Sequence, residues 1–181
     1  MTEHDPDAVL VQRCLHGDIE AFGTLVERYQ RQVFRAVLHM VANYDDASEL
    51  VQQVFMKAFQ NLRSYDPDRK FFSWIYRVAM NESINHVKSR RPWEPLVDDY
   101  VSPNADPAQQ FELDERGRAL QQAIGELDPM YRAVIVIRHF LDLSYSEAGE
   151  VLGIPEKTVK SRLFDARQSL KKALEARGYV R

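Results

Sequence analysis

The sequence predicts an all-α protein built as two small helical domains joined by a flexible acidic linker. Three observations carry that expectation. Apolar residues recur at spacings of three and four through both halves of the chain, which places them on one face of a helix. No stretch keeps the strict alternation of a half-buried strand, although Val134 to Ile137 taken alone would pass for a short buried one. Between Trp93 and Gln110 the helical rhythm stops, in a segment that holds Pro95, Pro103 and Pro107 just behind Pro92, with Asp98, Asp99, Asn104 and Asp106.

Taken in order, a first short helix closes at Gly17, and Asp18 supplies the N-cap of the next. That second helix is long and amphipathic, through Phe22, Leu25, Val26, Tyr29, Val33, Val37 and Val41. From Asp46 a third runs to Leu62, burying Ala47, Leu50, Val51, Val54, Phe55, Ala58 and Phe59. After the break at Tyr65, Asp66 and Pro67, residues Phe71 to Lys88 form a fourth with an aromatic start at Phe71, Phe72, Trp74 and Tyr76. These helices make a first domain over 8–92, followed by the linker over 93–112.

The second domain spans 113–178. Leu113, Leu120, Ala123, Ile124 and Leu127 mark one helix, and Asp128 with Pro129 opens the next, which runs through Val134 and Ile137 to Phe140. Ser144 and Glu147 have capping-box spacing, the short helix behind them carries Ala148, Val151 and Leu152, and Gly153 stops it. A tight turn to Pro155 leads into a last helix that buries Val159, Leu163, Ala166, Leu170 and Leu174.

Composition narrows the function. With 45% apolar residues the chain folds, and its only cysteine, Cys14, sits in an apolar helical pattern. Disulfide frameworks within the chain and cysteine-rich zinc sites are thereby excluded, and Cys14 reads as core. No apolar run approaches the ~20 residues of a membrane span, and Met1 to Ala8 is too acidic for a secretory signal, so a cytoplasmic protein without membrane insertion is expected. His4, His16, His39, His86 and His139 form no close metal-ligand pair, and neither a phosphate-cradling glycine loop nor a nucleophile elbow is present. The expectation is therefore no enzyme, no catalytic residue, no metal and no cofactor.

A net charge of −3 conceals two basic stretches, with seven Lys and Arg against three Asp and Glu over 61–92, and eight against three over 156–181. Residues 93–130 hold two against nine. The last helix has a core face and, opposite it, Lys157, Lys160, Ser161, Phe164, Gln168 and Lys171. Such a helix suits the DNA major groove, where a preceding helix sets its angle and its cations meet phosphates and base edges. The alternative is an ordinary helical hairpin with a solvated basic face, but capping box, tight turn and basic face coincide. In the fourth helix, Trp74, Arg77, Asn81, Asn85 and Lys88 share one side by steps of three and four, combining a stacking surface with amides and cations that can hold unpaired bases and their phosphates. Phe72, Ile75 and Ala79 share its core stripe. The third helix exposes Glu49, Gln52, Gln53, Met56 and Gln60, a mixed surface able to hydrogen-bond a partner.

With these residues laid out, the chain resembles the extracytoplasmic-function group of the sigma-70 family over roughly residues 8–176. Asp46-Ala47-Ser48-Glu49-Leu50-Val51-Gln52-Gln53-Val54-Phe55 resembles the family's polymerase-binding helix. Phe71-Phe72-Ser73-Trp74-Ile75-Tyr76-Arg77-Val78-Ala79-Met80-Asn81 resembles the segment that opens and reads the −10 promoter element. Leu143 to Ala148 and Thr158 to Leu163 resemble the −35-reading helix-turn-helix.

The resemblance implies an alternative sigma factor that binds core RNA polymerase, at the clamp of the largest catalytic subunit and at the flap region, together with promoter DNA, and that is held by an anti-sigma factor. It implies polymerase contacts at Asp46, Glu49, Leu50, Gln52, Gln53 and Met56. Arg63, Arg69, Lys70, Trp74, Arg77, Asn81, Asn85 and Lys88 would serve the −10 element, with a base pocket between the Leu62 to Lys70 loop and the fourth helix. Lys157, Thr158, Lys160, Ser161, Arg162, Phe164, Arg167 and Lys171 would serve the −35 element. Ser48 and Gln53 stand where many relatives are acidic, and Asp165 where relatives often carry a base. The rival reading is a conventional helix-turn-helix regulator that binds duplex DNA without polymerase and leaves the Gln52 and Trp74 faces without a use.

Overall fold

Local capping chemistry sets the starts of several helices. In the computed structural model, which describes residues 6–89 and 115–179, the chain forms α1 (Asp7–Leu15), α2 (Ile19–Val41), α3 (Tyr44–Gln60), a 3-10 turn (Leu62–Ser64), α4 (Phe71–Ser89), α5 (Glu115–Gly125), α6 (Pro129–Ile135), a π-helical turn (Val136–Phe140), α7 (Tyr145–Leu152) and α8 (Glu156–Ala176). Among the described residues there is no strand, so Val134 to Ile137 is helical. The linker over 93–112 and Leu113 lie outside the described residues.

Asp18 caps α2 by accepting from the Ala21 amide, and Asp128 caps α6 by accepting from Met130. The third helix starts before Asp46 because Asn43, not an acid, is its N-cap: the Asn43 side chain accepts from the Asp46 amide at 3.0 Å. Ala42, between α2 and α3, holds φ of +53°, a left-handed conformation that favours glycine. The helix expected to continue unbroken to Phe140 widens instead into the π turn, which ends in Asp142 at φ +51°. Arg138 ties that end down, donating to the Leu143 carbonyl at 2.7 Å.

α1 to α4 pack around Leu25, Val33, Val37, Met40, Val54, Ile75 and Met80, all fully buried; each contributes about 1.5–3 kcal/mol from removal of apolar surface from water. Cys14 packs against this core, half-buried, and burial raises its thiol pKa. Phe59 departs from its expected place inside: it is 44% exposed, its ring edge-on to Phe22 at 5.0 Å between centroids.

The two halves share this core. Ala133, Val136, Ile137, Leu143, Ala148, Val151 and Val159 belong to the same apolar cluster as α1 to α4, while Ile124, Leu127, Val134, Ile135, Leu163 and Ala166 form a smaller one between α5, α6 and α8. Arg132 of α6, 2% exposed, spans the boundary, donating to the carbonyls of Met40 at the end of α2 and of Gly125 and Leu127 after α5. Nearby, His39 of α2 stacks on Phe140 at 3.7 Å and meets Gln121 of α5 at 3.4 Å.

Burial, then the neighbouring Arg35, hold the His39 pKa down at about 4. A histidine depressed in the fold binds fewer protons there than when unfolded, so stability rises with pH between about 4 and 6.5 and is lost as pH falls through that window. Urea unfolding at pH 7 and pH 5 is expected to differ by on the order of 2 kcal/mol through this residue, and His39→Phe, which keeps the stack, should remove that part of the difference. An unchanged pH slope in the variant would refute the assignment.

Candidate nucleic-acid interface

The helix-turn-helix is built locally. Ser144 Oγ accepts from the Glu147 amide at 3.2 Å while Glu147 Oε2 accepts from the Ser144 amide at 3.1 Å, closing the capping box. Gly153, at φ +65°, ends α7 in the left-handed conformation. Gly149 permits the close turn: a Cβ there would lie 2.8 Å from the Ile154 carbonyl oxygen. α8 then leaves with Val159, Leu163 and Ala166 buried and Lys157, Lys160, Ser161, Phe164, Arg167 and Lys171 exposed.

Phe164 is 62% exposed at the centre of this cationic face. An aromatic ring left in water among lysines has no packing role and is available to a partner. Lys160 pairs with Glu156 at 2.5 Å, which raises its pKa, and lies over the Tyr145 ring. Thr158 is half-buried. Arg162 is turned toward the packed side between Val159 and Ala166, with one guanidinium nitrogen enclosed and without a hydrogen-bond partner. Its expected place on the DNA-facing side is therefore corrected: three residues after buried Val159 and four before buried Ala166, the helical period points it inward. Asp165 is exposed beside Phe164.

On α4, Asn81, Asn85 and Lys88 are exposed and Trp74 and Arg77 half-buried along one side. Trp74 is seated on an aromatic column, with ring centroids 5.5 Å from Phe71 and 5.7 Å from Tyr65; Phe71 lies in turn 5.5 Å from Tyr29. Tyr65 is buried and donates to the Arg69 carbonyl at 2.5 Å, so the space expected as a base pocket between the 62–70 loop and α4 is occupied there by the Tyr65 ring. Arg63, Arg69 and Lys70 are exposed around it. Phe72 packs against Tyr76 at 4.6 Å, as its place on the core stripe implies.

α3 presents Glu49, Gln52 and Met56 outward, Met56 being 55% exposed, with Gln53 donating to Glu49 at 3.0 Å. Leu50 is corrected: at 4% exposure it is core and cannot meet a partner. Asp46 is also turned in, its side chain 12% exposed and 3.6 Å from His86. Neither correction disturbs the stripe formed by Glu49, Gln52, Gln53, Met56 and Gln60, which exposed Phe59 widens with apolar area. Phe59 escaped the sequence reading because helical spacing placed it equally well on the core side.

Among the described residues no group of three or more His, Cys, Asp or Glu could hold a metal ion, and no helix is long and apolar enough to cross a membrane.

Comparison with known proteins gives these faces a context. Residues 25–92 match the family model described as Sigma-70 region 2, and residues 117–170 match Sigma-70, region 4. The ECF RNA polymerase sigma factor SigW of Bacillus subtilis is 32% identical, with 91% of this chain and 94% of that protein aligned. The ECF RNA polymerase sigma-E factor of Escherichia coli is 33% identical over 94% of this chain and 95% of its own length. Among solved structures, CnrH in complex with the cytosolic domain of CnrY superposes with a TM-score of 0.71 at 29% identity, covering 95% of this chain and 99% of CnrH.

Proposed function

The chain belongs to the extracytoplasmic-function group of the sigma-70 family and is an alternative sigma factor directing transcription initiation, and from that premise we propose which of its surfaces does what. The α3 stripe of Glu49, Gln52, Gln53 and Met56 docks on the clamp of core RNA polymerase. The α4 face of Trp74, Arg77, Asn81, Asn85 and Lys88, flanked by Arg63, Arg69 and Lys70, takes the opened −10 strand. The α8 face of Lys157, Lys160, Ser161, Phe164, Arg167 and Lys171 reads the −35 duplex, beside which the flap region supports the second domain. The boundaries are region 2 over 8–92, the acidic linker over 93–112 and region 4 over 113–178. The sigma-factor family is not an enzyme class, and the protein works in the cytoplasm where polymerase is. CnrH is solved with the cytosolic domain of CnrY, and an anti-sigma factor is a partner of this chain in the same sense.

The observation that carries this assignment is the unburied Phe164 on cationic α8, which follows a helix opened by a capping box and closed by a sharp glycine turn. Mixing the purified chain with core polymerase and scoring transcription from genomic fragments tests the whole reading; absence of both core binding and promoter-dependent transcript would sink it. At residue level, Lys160→Ala should weaken binding to all duplexes and lower the salt slope by about 1, whereas Phe164→Ala should cost about 1–3 kcal/mol at one base step and leave the salt slope alone. The reverse pattern in a salt titration would exchange their roles.

A further inference from the structure

One acid on α8 does not fit a surface made to meet phosphates. The helix carries three acids, and two are neutralised by its own lysines: Glu156 pairs with Lys160 at 2.5 Å and Glu175 with Lys171 at 3.6 Å. Asp165 lies between them, exposed, and among the described residues it has neither an ion pair nor a hydrogen bond. The cation one turn earlier, Arg162, is turned toward the packed side with one guanidinium nitrogen enclosed.

At 3.6 residues per turn the exposed face divides on either side of Phe164. Lys160, Arg167 and Lys171 fall on one flank, and the π turn adds to it: Arg167 donates to His139 at 3.2 Å, and Arg138 and Lys160 lie over the Tyr145 ring at 5.1 and 5.2 Å from its centre. Ser161, Asp165 and Gln168 fall on the other, with Lys172 two turns beyond Asp165. The first flank suits a phosphate strand. An unpaired carboxylate on the second is repelled by phosphate, so a duplex docks with Asp165 over base edges.

Two groups on those edges donate in the major groove, the N6 amine of adenine and the N4 amine of cytosine; the other polar groups accept. An ionised carboxylate accepts and never donates. On adenine it meets the N7 lone pair beside the amine, whereas cytosine has no acceptor of its own next to its amine. Phe164, the neighbouring residue and 62% exposed, offers apolar area to a thymine methyl.

We propose that Asp165 is a specificity-determining residue of α8, accepting a hydrogen bond from the N4 amine of one cytosine in the upstream element, beside the base pair that Phe164 touches. This rests on the reading of α8 as the duplex-reading helix. The carboxylate weakens binding to every duplex and is compensated on the cytosine-bearing one, so it selects by exclusion as much as by attraction.

The test uses holoenzyme assembled from the full chain and core polymerase, a duplex promoter pool randomised over the upstream element, and sequencing of the bound fraction. The native chain should prefer cytosine at one position by about tenfold. Asp165→Arg should move that position to guanine, whose O6 and N7 accept from both arms of the fork, and Asp165→Asn should move it to adenine, with the other positions unchanged. Circular dichroism checks the helix, whose core face these substitutions do not touch. A duplex carrying N4-methylcytosine at that position loses the groove-facing hydrogen while keeping its base pair; it should bind the native chain about tenfold more weakly than the unmodified duplex and Asp165→Ala equally well.

Identical base preferences in all these chains, with affinity rising for every sequence as the charge is removed, would make Asp165 a solvated repulsive charge and overturn the proposal. So would a fall in core binding with unchanged preference, which would set the carboxylate against polymerase. Failure of the underlying reading looks different: Lys160→Ala and Phe164→Ala also leave the bound pool unchanged, which overturns the proposal by removing its premise.

Discussion

Replacing Trp74 by alanine is expected to cut open-complex formation by roughly 5- to 150-fold while leaving polymerase affinity and upstream duplex binding intact. The range is the about 1–3 kcal/mol that an aromatic side chain contributes to holding one unstacked base, converted at 1.4 kcal/mol per tenfold. The indole is half-buried, and its inner edge rests on Phe71 and Tyr65. Those rings fix its orientation before any base arrives, so little side-chain entropy is lost on binding. Strand opening without nucleotide hydrolysis needs the unpaired state to be bound more tightly than the duplex, and on the role proposed for α4 a pre-set stacking surface is what supplies that difference.

The same packing means that Trp74→Ala also weakens region 2, so stability must be measured beside function. Trp74→Phe separates the two: it keeps an aromatic face and most of the buried area, and should recover most of the opening. Permanganate reactivity of thymines in the melted segment, read at a temperature where thermal unfolding shows both variants folded, is the decisive measurement. Wild-type reactivity in Trp74→Ala would remove the indole from strand opening. Loss of polymerase binding with normal opening of whatever complex remains would move Trp74 to the docking surface instead.

What was legible in the sequence was what is local. Asp18, Asp128, the Ser144 and Glu147 box and Gly153 all act on amides or carbonyls within a few residues, and each sits where expected. The family motifs are equally local, each contained within one or two helices. Errors arose where a residue lies near the edge of a helical stripe. Leu50 was assigned to the core by its spacing and to the partner by its motif, and burial decided for the core; by the same ambiguity Phe59, expected inside, is exposed, and Arg162, expected outside, is turned inward. The packing of region 4 on region 2 left no periodic signal at all. Lys70 and Glu147 are 77 residues apart, and Arg132 and Met40 are 92 apart; a salt bridge or a side chain donating to a distant carbonyl needs only one residue on each side, which no window of the sequence can pair.

Arg132 shows how much such a pairing can carry, and its removal is expected to be strongly destabilising, about 4 kcal/mol for Arg132→Ala. Its guanidinium caps two helices at once. The Met40 carbonyl lies in the last turn of α2 and the Gly125 carbonyl ends α5, both at negative helix ends without partners of their own. Burial pulls the Arg132 pKa down to about 10, with Asp128 opposing that shift, yet the group stays charged at neutral pH. The desolvation cost is offset by two helix termini rather than by a salt bridge. Alanine leaves both carbonyls enclosed and unpaired and adds a cavity. Lysine carries the charge but not the fork that reaches both carbonyls, and should recover less than half of the loss. Because Arg132 joins α6 to α2 across the boundary between the halves, its loss should also uncouple them. Urea unfolding of Arg132→Ala in a Trp93→Phe background, followed separately by Trp74 fluorescence for the first half and by amide exchange for α6 and α8, is expected to give two transitions where the native chain gives one. A single coincident transition, shifted by less than 1 kcal/mol, would show that the apolar cluster alone holds the halves together.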